Sequence, residues 1–288
     1  ISADPSGSSY GRGPVFVDGS GNVSMTGTDP DSGTGRHIFS KYNSSKAKVF
    51  EKYYGYDMGG GGSHKPDTLT YYGGCITGGQ HVMACSMVTA SESGIATDYH
   101  MSLQKLDPSD GSVTWWIRAV ASESDGFQLM DVQVDSSGNL YAVGWGKVGS
   151  DSKQSLWCGK FNSSGTKQWN FALGLADDSI AFIPGPLDID NSDNVYFTGY
   201  YATYVDGSNY TKAVVMKVAG GALPTAGTTG IWKITDTDFA FASVPGGFYA
   251  YNASDTQYIG TPSQISDASA SDVSLDNETG QSVTLVSV

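Results

Sequence analysis

From Val15 the chain alternates apolar and polar residues into a polar knot and out again, VFVDGSGNVSMTG. The same figure returns at Val132 as VQVDSSGNLYAVG and at Leu187 as LDIDNSDNVYFTG. In each copy Asp and Gly stand nine residues apart: Asp18 and Gly27, Asp135 and Gly144, Asp190 and Gly199. Alternation with a period of two places one set of side chains on one face of a strand. The Asp, Ser, Gly and Asn cluster between the apolar runs supplies the conformations of a tight turn. The pattern therefore predicts three β-hairpins.

Each hairpin is followed by a third alternating run ending in Lys and a fourth carrying an aromatic. These are HIFSKY with Lys41 then KVFEKYYG, SLWCGKF with Lys160 then KQWNFALG with Trp169, and AVVMKV with Lys217 then GIWKI with Trp232. A variant copy, CITGGQHVMACSMV, leads to HMSLQKL and SVTWWIR with Trp115, and a worn fifth copy reads FAFASVPGGFYAYN. Turn entrances at Asp18, Ile76, Asp135, Asp190 and Val244 are 58, 59, 55 and 54 residues apart. No stretch shows capped helical periodicity. Four strands per unit at this spacing predict an all-β chain, a β-propeller of about five four-stranded antiparallel blades. The units are expected near 14–58, 69–120, 129–174, 185–235 and 238–260, after a lead-in over 1–13. The acidic segment 261–288 is expected to add a β segment that closes the last blade or docks a neighbour.

The Asp-Ser-Ser-Gly-Asn-Leu-Tyr-Ala-Val-Gly run, with Lys160-Phe161 and Gly165 to Trp169 behind it, resembles the bacterial β-propeller repeat often called SBBP. LDPSDGSVTWW, Leu106 to Trp116, looks like the outer-strand motif of quinoprotein-like propellers. The resemblance implies a propeller of secreted, surface or virion proteins, usually without an enzymatic role. The larger ring and cofactor site of quinoprotein enzymes have no counterpart here.

The chain has 16 Lys and Arg against 29 acids, a formal net charge of −13. A phosphate backbone is bound by clustered cations, so nucleic acid is not an expected partner. No apolar run of about 18 residues is present, so no membrane insertion is expected. After Lys233 there is no further Lys or Arg, while Asp236, Asp238, Asp255, Asp267, Asp272, Asp276 and Glu278 follow. The three cysteines, Cys75, Cys85 and Cys158, cannot all pair within one chain. A hairpin tip at Gly78-Gly79 sets Cys75 opposite Val82, not opposite Cys85. The start at Ile1, with no leader pattern, suits a processed product, an excised domain or part of something longer.

Candidate chemistry is sparse. Asp188, Asp190 and Asp193 form an oxygen-rich turn of the kind that takes Ca2+, though self-capping is the ordinary use of such carboxylates. No cofactor is otherwise expected. The four histidines, His37, His64, His81 and His100, show no zinc-binding pair, and no nucleophile elbow is present. His64 lies in the Gly-rich stretch MGGGGSHKPD beside Tyr56. Tyr201, Tyr204 and Tyr210 fall in what reads as a long connection between the second and third strands of the fourth unit. Tyrosines on such a connection suit sugar or protein contacts. Tyr56, His64, Tyr201, Tyr204 and Tyr210 are thus the candidate binding residues, and no catalytic set is expected.

The expectation is a non-enzymatic binding module of an extracellular or virion assembly: a phage tail or fibre component, or a surface adhesin. Its partners would be neighbouring subunits and a host glycan or receptor. The alternative is a secreted carbohydrate-active hydrolase or lyase, in which acids such as Glu92, Glu123, Asp125, Asp177 and Asp178 would have to converge.

Overall fold

The computed structural model describes residues 13–29, 36–56, 69–89, 98–120, 128–147, 154–175, 182–205, 208–224, 226–229, 232–236, 240–243 and 248–252. Among them the chain is all-β apart from one 3-10 turn, Ala219–Gly221. Four antiparallel sheets follow one another along the sequence. Sheet I contains β1 (Val15–Val17), β2 (Val23–Asp29), β3 (Arg36–Tyr42) and β4 (Lys48–Tyr56). Sheet II contains β5 (Leu69–Thr77), β6 (Gln80–Thr89), β7 (Asp98–Leu106) and β8 (Val113–Val120). Sheet III contains β9 (Gln128–Val134), β10 (Leu140–Lys147), β11 (Gln154–Phe161) and β12 (Lys167–Leu175). Sheet IV contains β13 (Phe182–Ile189), β14 (Val195–Val205) and β15 (Ser208–Val218).

One turn design recurs at six positions, three more than the repeated Asp had marked. At Asp18, Asn43, Asp107, Asp135, Asn162 and Asp190 the backbone N–H bonds the carbonyl that closes the turn, at 2.9 to 3.0 Å. The side-chain oxygen of the same residue accepts backbone N–H groups inside the turn: Ser20 and Asn22, Ala47, Ser109, Ser137 and Asn139, Ser164 and Thr166, Ser192 and Asn194. A short Asp or Asn side chain can satisfy these donors without help from another strand, which makes the turn locally encoded. The turns need one left-handed residue; Gly138 supplies it at φ 83° and Asp193 adopts it at φ 58°.

The sheets pack face to face in chain order. Phe16, Phe39 and Tyr54 of sheet I meet Met83, Cys85, Leu106 and Trp116 of sheet II. The other face of sheet II, with Val82, Ala84, Met101 and Leu103, meets Leu140, Ala142, Trp157 and Phe161 of sheet III. Tyr141, Val143, Leu156 and Cys158 of sheet III then meet Leu187, Val195, Phe197 and Val218 of sheet IV. Leu140 and Ala142 look one way and Tyr141 and Val143 the other, so strict alternation lets one strand serve two seams. The three cysteines are buried free thiols, and Cys75 pairs in register with Val82 as the turn position predicted. Burial raises the Cys75 and Cys158 thiols to about 12.

The last strands depart from the expected plan. β16 (Gly227–Thr229) pairs with β17 (Trp232–Asp236), and β17 lies along β12 at the outer edge of sheet III, so the Trp232 run is not the fourth strand of sheet IV. β18 (Ala240–Ser243) lies along β8 of sheet II, and β19 (Phe248–Asn252) along β4 of sheet I. The two halves of the expected fifth hairpin therefore pair with different sheets instead of with each other. Successive late strands cover the outer edges of III, II and I in reverse order. The physical reason is that each outer edge offers an unpaired row of N–H and C=O groups, which any extended segment can satisfy. Five units of sequence thus become four sheets with added edges.

Candidate functional site

The turn end of the sheets is electrostatically self-contained. Asp18 holds Ser20 N and Asn22 N at 2.9 Å each and Asn22 Nδ2 at 2.7 Å. Asp135 holds Ser137 N, Asn139 N and Asn139 Nδ2 at 2.8 to 2.9 Å, and the Tyr141 hydroxyl donates to it at 3.3 Å. Asp190 repeats the set with Ser192, Asn194 and the Tyr196 hydroxyl, 3.1 Å away. The Asn194 amide and backbone bonds hold the Asp190 carboxyl down to about 2, well below the usual range. Asp193 instead crosses to sheet III, accepting from Ser136 N at 2.9 Å and Ser136 Oγ at 2.8 Å. Asp188 accepts its neighbour Ile189 N at 2.8 Å. Asp188, Asp190 and Asp193 are thus each engaged by a different donor set. Among the described residues no cluster of three or more His, Cys, Asp or Glu is placed to hold a metal ion.

Two of the repeat lysines tie one sheet to the next, and two stay within their own. Lys41 Nζ of sheet I lies 3.0 Å from the Pro108 carbonyl in the β7–β8 turn of sheet II. Lys105 of sheet II donates to the Ser163 carbonyl in the β11–β12 turn of sheet III at 3.2 Å, where the Trp115 indole N–H also donates, at 3.3 Å. Lys160 sits 3.9 Å from Asp135 and over the Tyr141 ring, whose edge meets Trp169. Lys217 stands over the Tyr196 ring at 5.3 Å. The residues chosen from the repeat therefore build turns and seams. Gly27, Gly144 and Gly199 lie on β2, β10 and β14.

One interior carboxyl was not singled out by its sequence. Asp131 on β9 is buried, with Oδ1 accepting Val132 N at 2.8 Å and Oδ2 accepting Leu187 N at 3.1 Å, where the β13 ladder breaks step between Pro184 and Leu187. It also lies against Gly73 of β5: a Cβ there would stand 2.0 Å from Asp131 Oδ1. Asp131 so links the first strands of sheets II, III and IV. Burial raises its carboxyl to about 6, although the Leu187 and Val132 N–H bonds favour the charged form. The available signal was an acid inside the alternating run QLMDVQV.

The tyrosines lie at the opposite end from the turns. Tyr201 and Tyr204 belong to β14 and Tyr210 to β15, so they occupy paired strands, correcting the expected connection; only 206–207 separate the two strands. Tyr and Thr favour a pleated, half-buried surface, and the run continues the alternation already begun at Val195. β14 and β15 have 11 residues each, against 8 for β10 and β11 and 10 and 9 for β6 and β7. Among the described residues, β13 pairs with β14 from Phe182 opposite Tyr201 to Ile189 opposite Val195. In register, Tyr200 pairs with Ala213, Tyr201 with Lys212, Thr203 with Tyr210 and Tyr204 with Asn209. Tyr56 ends β4, opposite Phe248, at the same end of its sheet. His64 lies outside the described residues, as do Glu92, Glu123, Asp125, Asp177, Asp178 and the segment 261–288. Neither the protein-family models nor the curated protein sequences contain a match to this chain.

Proposed function

We propose that the chain is a non-enzymatic, propeller-type binding module of an extracellular or virion assembly, its stacked sheets acting as blades that hold recognition segments at one end. The carrying observation is the contrast between the two ends of the sheets. At the turn end Asp18, Asp135 and Asp190 are engaged by their own turns and Asp193 by a neighbouring one, while the far end of the paired strands β14 and β15 is rich in tyrosine, with Tyr200, Tyr201, Tyr204 and Tyr210. Such a strand pair offers rigid amphipathic rings to a glycan or protein. Neither a cofactor nor a nucleic-acid partner belongs to this reading, and Ca2+ would have to compete with the turn amides for the aspartates.

Glycan-array binding by the chain and by the quadruple variant Tyr200→Ala, Tyr201→Ala, Tyr204→Ala, Tyr210→Ala tests it. The expected result is binding that is lost at least tenfold in the variant. Binding unaffected by all four substitutions would remove these tyrosines from the proposal. The hydrolase or lyase reading draws on one observation, the buried Asp131, whose carboxyl burial raises to about 6. It would gain if the chain turned over a polysaccharide and Asp131→Asn abolished that turnover while leaving the fold intact.

A further inference from the structure

The repeat gives every sheet a forward face and a rear face. Forward faces carry the lysine of the third strand: Lys41 in I, Lys105 in II, Lys160 in III and Lys217 in IV. Lys41 and Lys105 reach the carbonyl one residue into the third-to-fourth-strand turn of the next sheet, Pro108 after Asp107 and Ser163 after Asn162. Rear faces carry the apolar residues that receive this contact, Leu140, Ala142 and Phe161 in sheet III, all fully buried.

Among the described residues, two faces of the same design have no sheet packed on them. On sheet IV the forward face consists of Tyr196, Thr198, Ala213, Val215 and Lys217, in the registers that Tyr141, Val143, Leu156, Cys158 and Lys160 hold on sheet III. Cys158 is fully buried, whereas Val215 is 71% exposed. The Lys217–Tyr196 pair nevertheless has the geometry of Lys160 over Tyr141, 5.3 against 4.9 Å. On sheet I the rear face presents Val15 and Val17, 62% and 63% exposed, with Val23, Met25 and Ile38 beside them. Its third-to-fourth-strand turn, Asn43 to Ala47, places an exposed Ser44 one residue past Asn43, where sheets II and III have their lysine acceptors.

We propose that the forward face of sheet IV in one copy docks on the rear face of sheet I in a second copy, repeating the face-to-face packing of the three seams within the chain and the lysine contact that two of them make. Lys217 would donate to the Ser44 carbonyl of the second copy, and Val215 would cover Val15 and Val17. The contact is head to tail, joining two different patches, so copies joined this way close a ring or continue as a chain. It rests on the stacking of the sheets and not on which ligand the tyrosines bind.

Sedimentation velocity over a concentration series of the full chain is the test. The wild type should sediment as a dimer or larger species that dissociates on dilution. Val215→Glu and Val17→Glu, each on an open face, should be monomeric with unchanged circular dichroism. Mixing the two variants should restore a one-to-one pair, because each retains the face that the other has lost. Lys217→Ala should weaken association by roughly tenfold, the scale of one lost charge-assisted hydrogen bond. A wild-type monomer at all concentrations would overturn the proposal, as would variants that keep the wild-type mass or a mixture that stays monomeric. Tyr200 pairs with Ala213 on the same forward face, so the two readings are separated at sheet I: Val17→Glu should abolish association and leave glycan binding unchanged.

Discussion

The seam between sheets I and II and the seam between II and III share a plan and differ in filling. Both are closed at the turn end by a lysine reaching a turn carbonyl, Lys41 to Pro108 and Lys105 to Ser163. The second seam is almost wholly apolar, packed around Trp157 and Phe161. The first seats a histidine in the position that is Leu140 in sheet III, Val195 in sheet IV and Val23 in sheet I, immediately after the first turn. His81 is buried, stacked on Phe16 at 4.3 Å and edge-on to Phe39 at 5.4 Å, and its Nδ1 has no hydrogen-bond partner among the described residues. Burial lowers its pKa to about 4, with the Lys41 charge acting the same way. At one repeat position, then, an aliphatic residue is neutral to pH and a histidine makes its seam acid-sensitive. The acid Asp131, at the first strands of II, III and IV, has the opposite sign.

The largest effect should come from emptying the apolar seam. Trp157→Ala removes a fully buried ring and should cost about 3–5 kcal/mol in denaturant unfolding. A loss below about 1 kcal/mol would mean that sheets II and III do not depend on this seam.

The pH dependence of stability comes next. Asp131 has its folded pKa raised to about 6, so its contribution is fully present below about pH 4 and is lost as pH rises through 6, a difference of roughly 2–3 kcal/mol. Asp131→Asn should flatten that arm, leaving a protein that only loses stability on acidification from pH 6.5 to 4. Unfolding midpoints across that range read this directly, and an unchanged profile would place Asp131 in solvent.

His81 works in the reverse direction. Its folded pKa is depressed, so stability present above about 6.5 is lost as pH falls through 4, by about 1–2 kcal/mol once partial solvent screening is allowed for. His81→Leu, the residue that sheet III uses, should raise stability at pH 5 more than at pH 7. Equal gains at both would show that only the unpartnered Nδ1 mattered. In the wild type the two arms oppose each other, so its profile should be flatter than that of either variant.

The smallest effect concerns the turns that both seams share. Asp135→Ala frees Ser137 N and Asn139 N at the entrance to sheet III and should cost about 1–2 kcal/mol. Restoring Asn, which Asn162 uses in the same role, should recover most of it.

Much of this was legible in the residues because it is local. Asp18, Asp135 and Asp190 announced hairpins since each cap is made within four residues of itself, and alternation on β10 announced two buried faces. The tyrosines were misplaced because Tyr, Thr and Val continue a strand as readily as they decorate a loop, and only the register of β14 with β15 separates the two. Asp131 and His81 were passed over because a lone acid or histidine on an alternating strand carries no mark of what will cover it.

By itself, then, the amino-acid order determined an all-β chain, its strands, its turns and the two-faced character of each sheet. Tertiary structure decided which edge each late strand joined, and whether a given ionisable side chain lost its water. The reason is that strand pairing is made by main-chain groups that every residue shares. Burial, in turn, depends on which neighbour arrives, and β17, β18 and β19 find theirs far away along the chain.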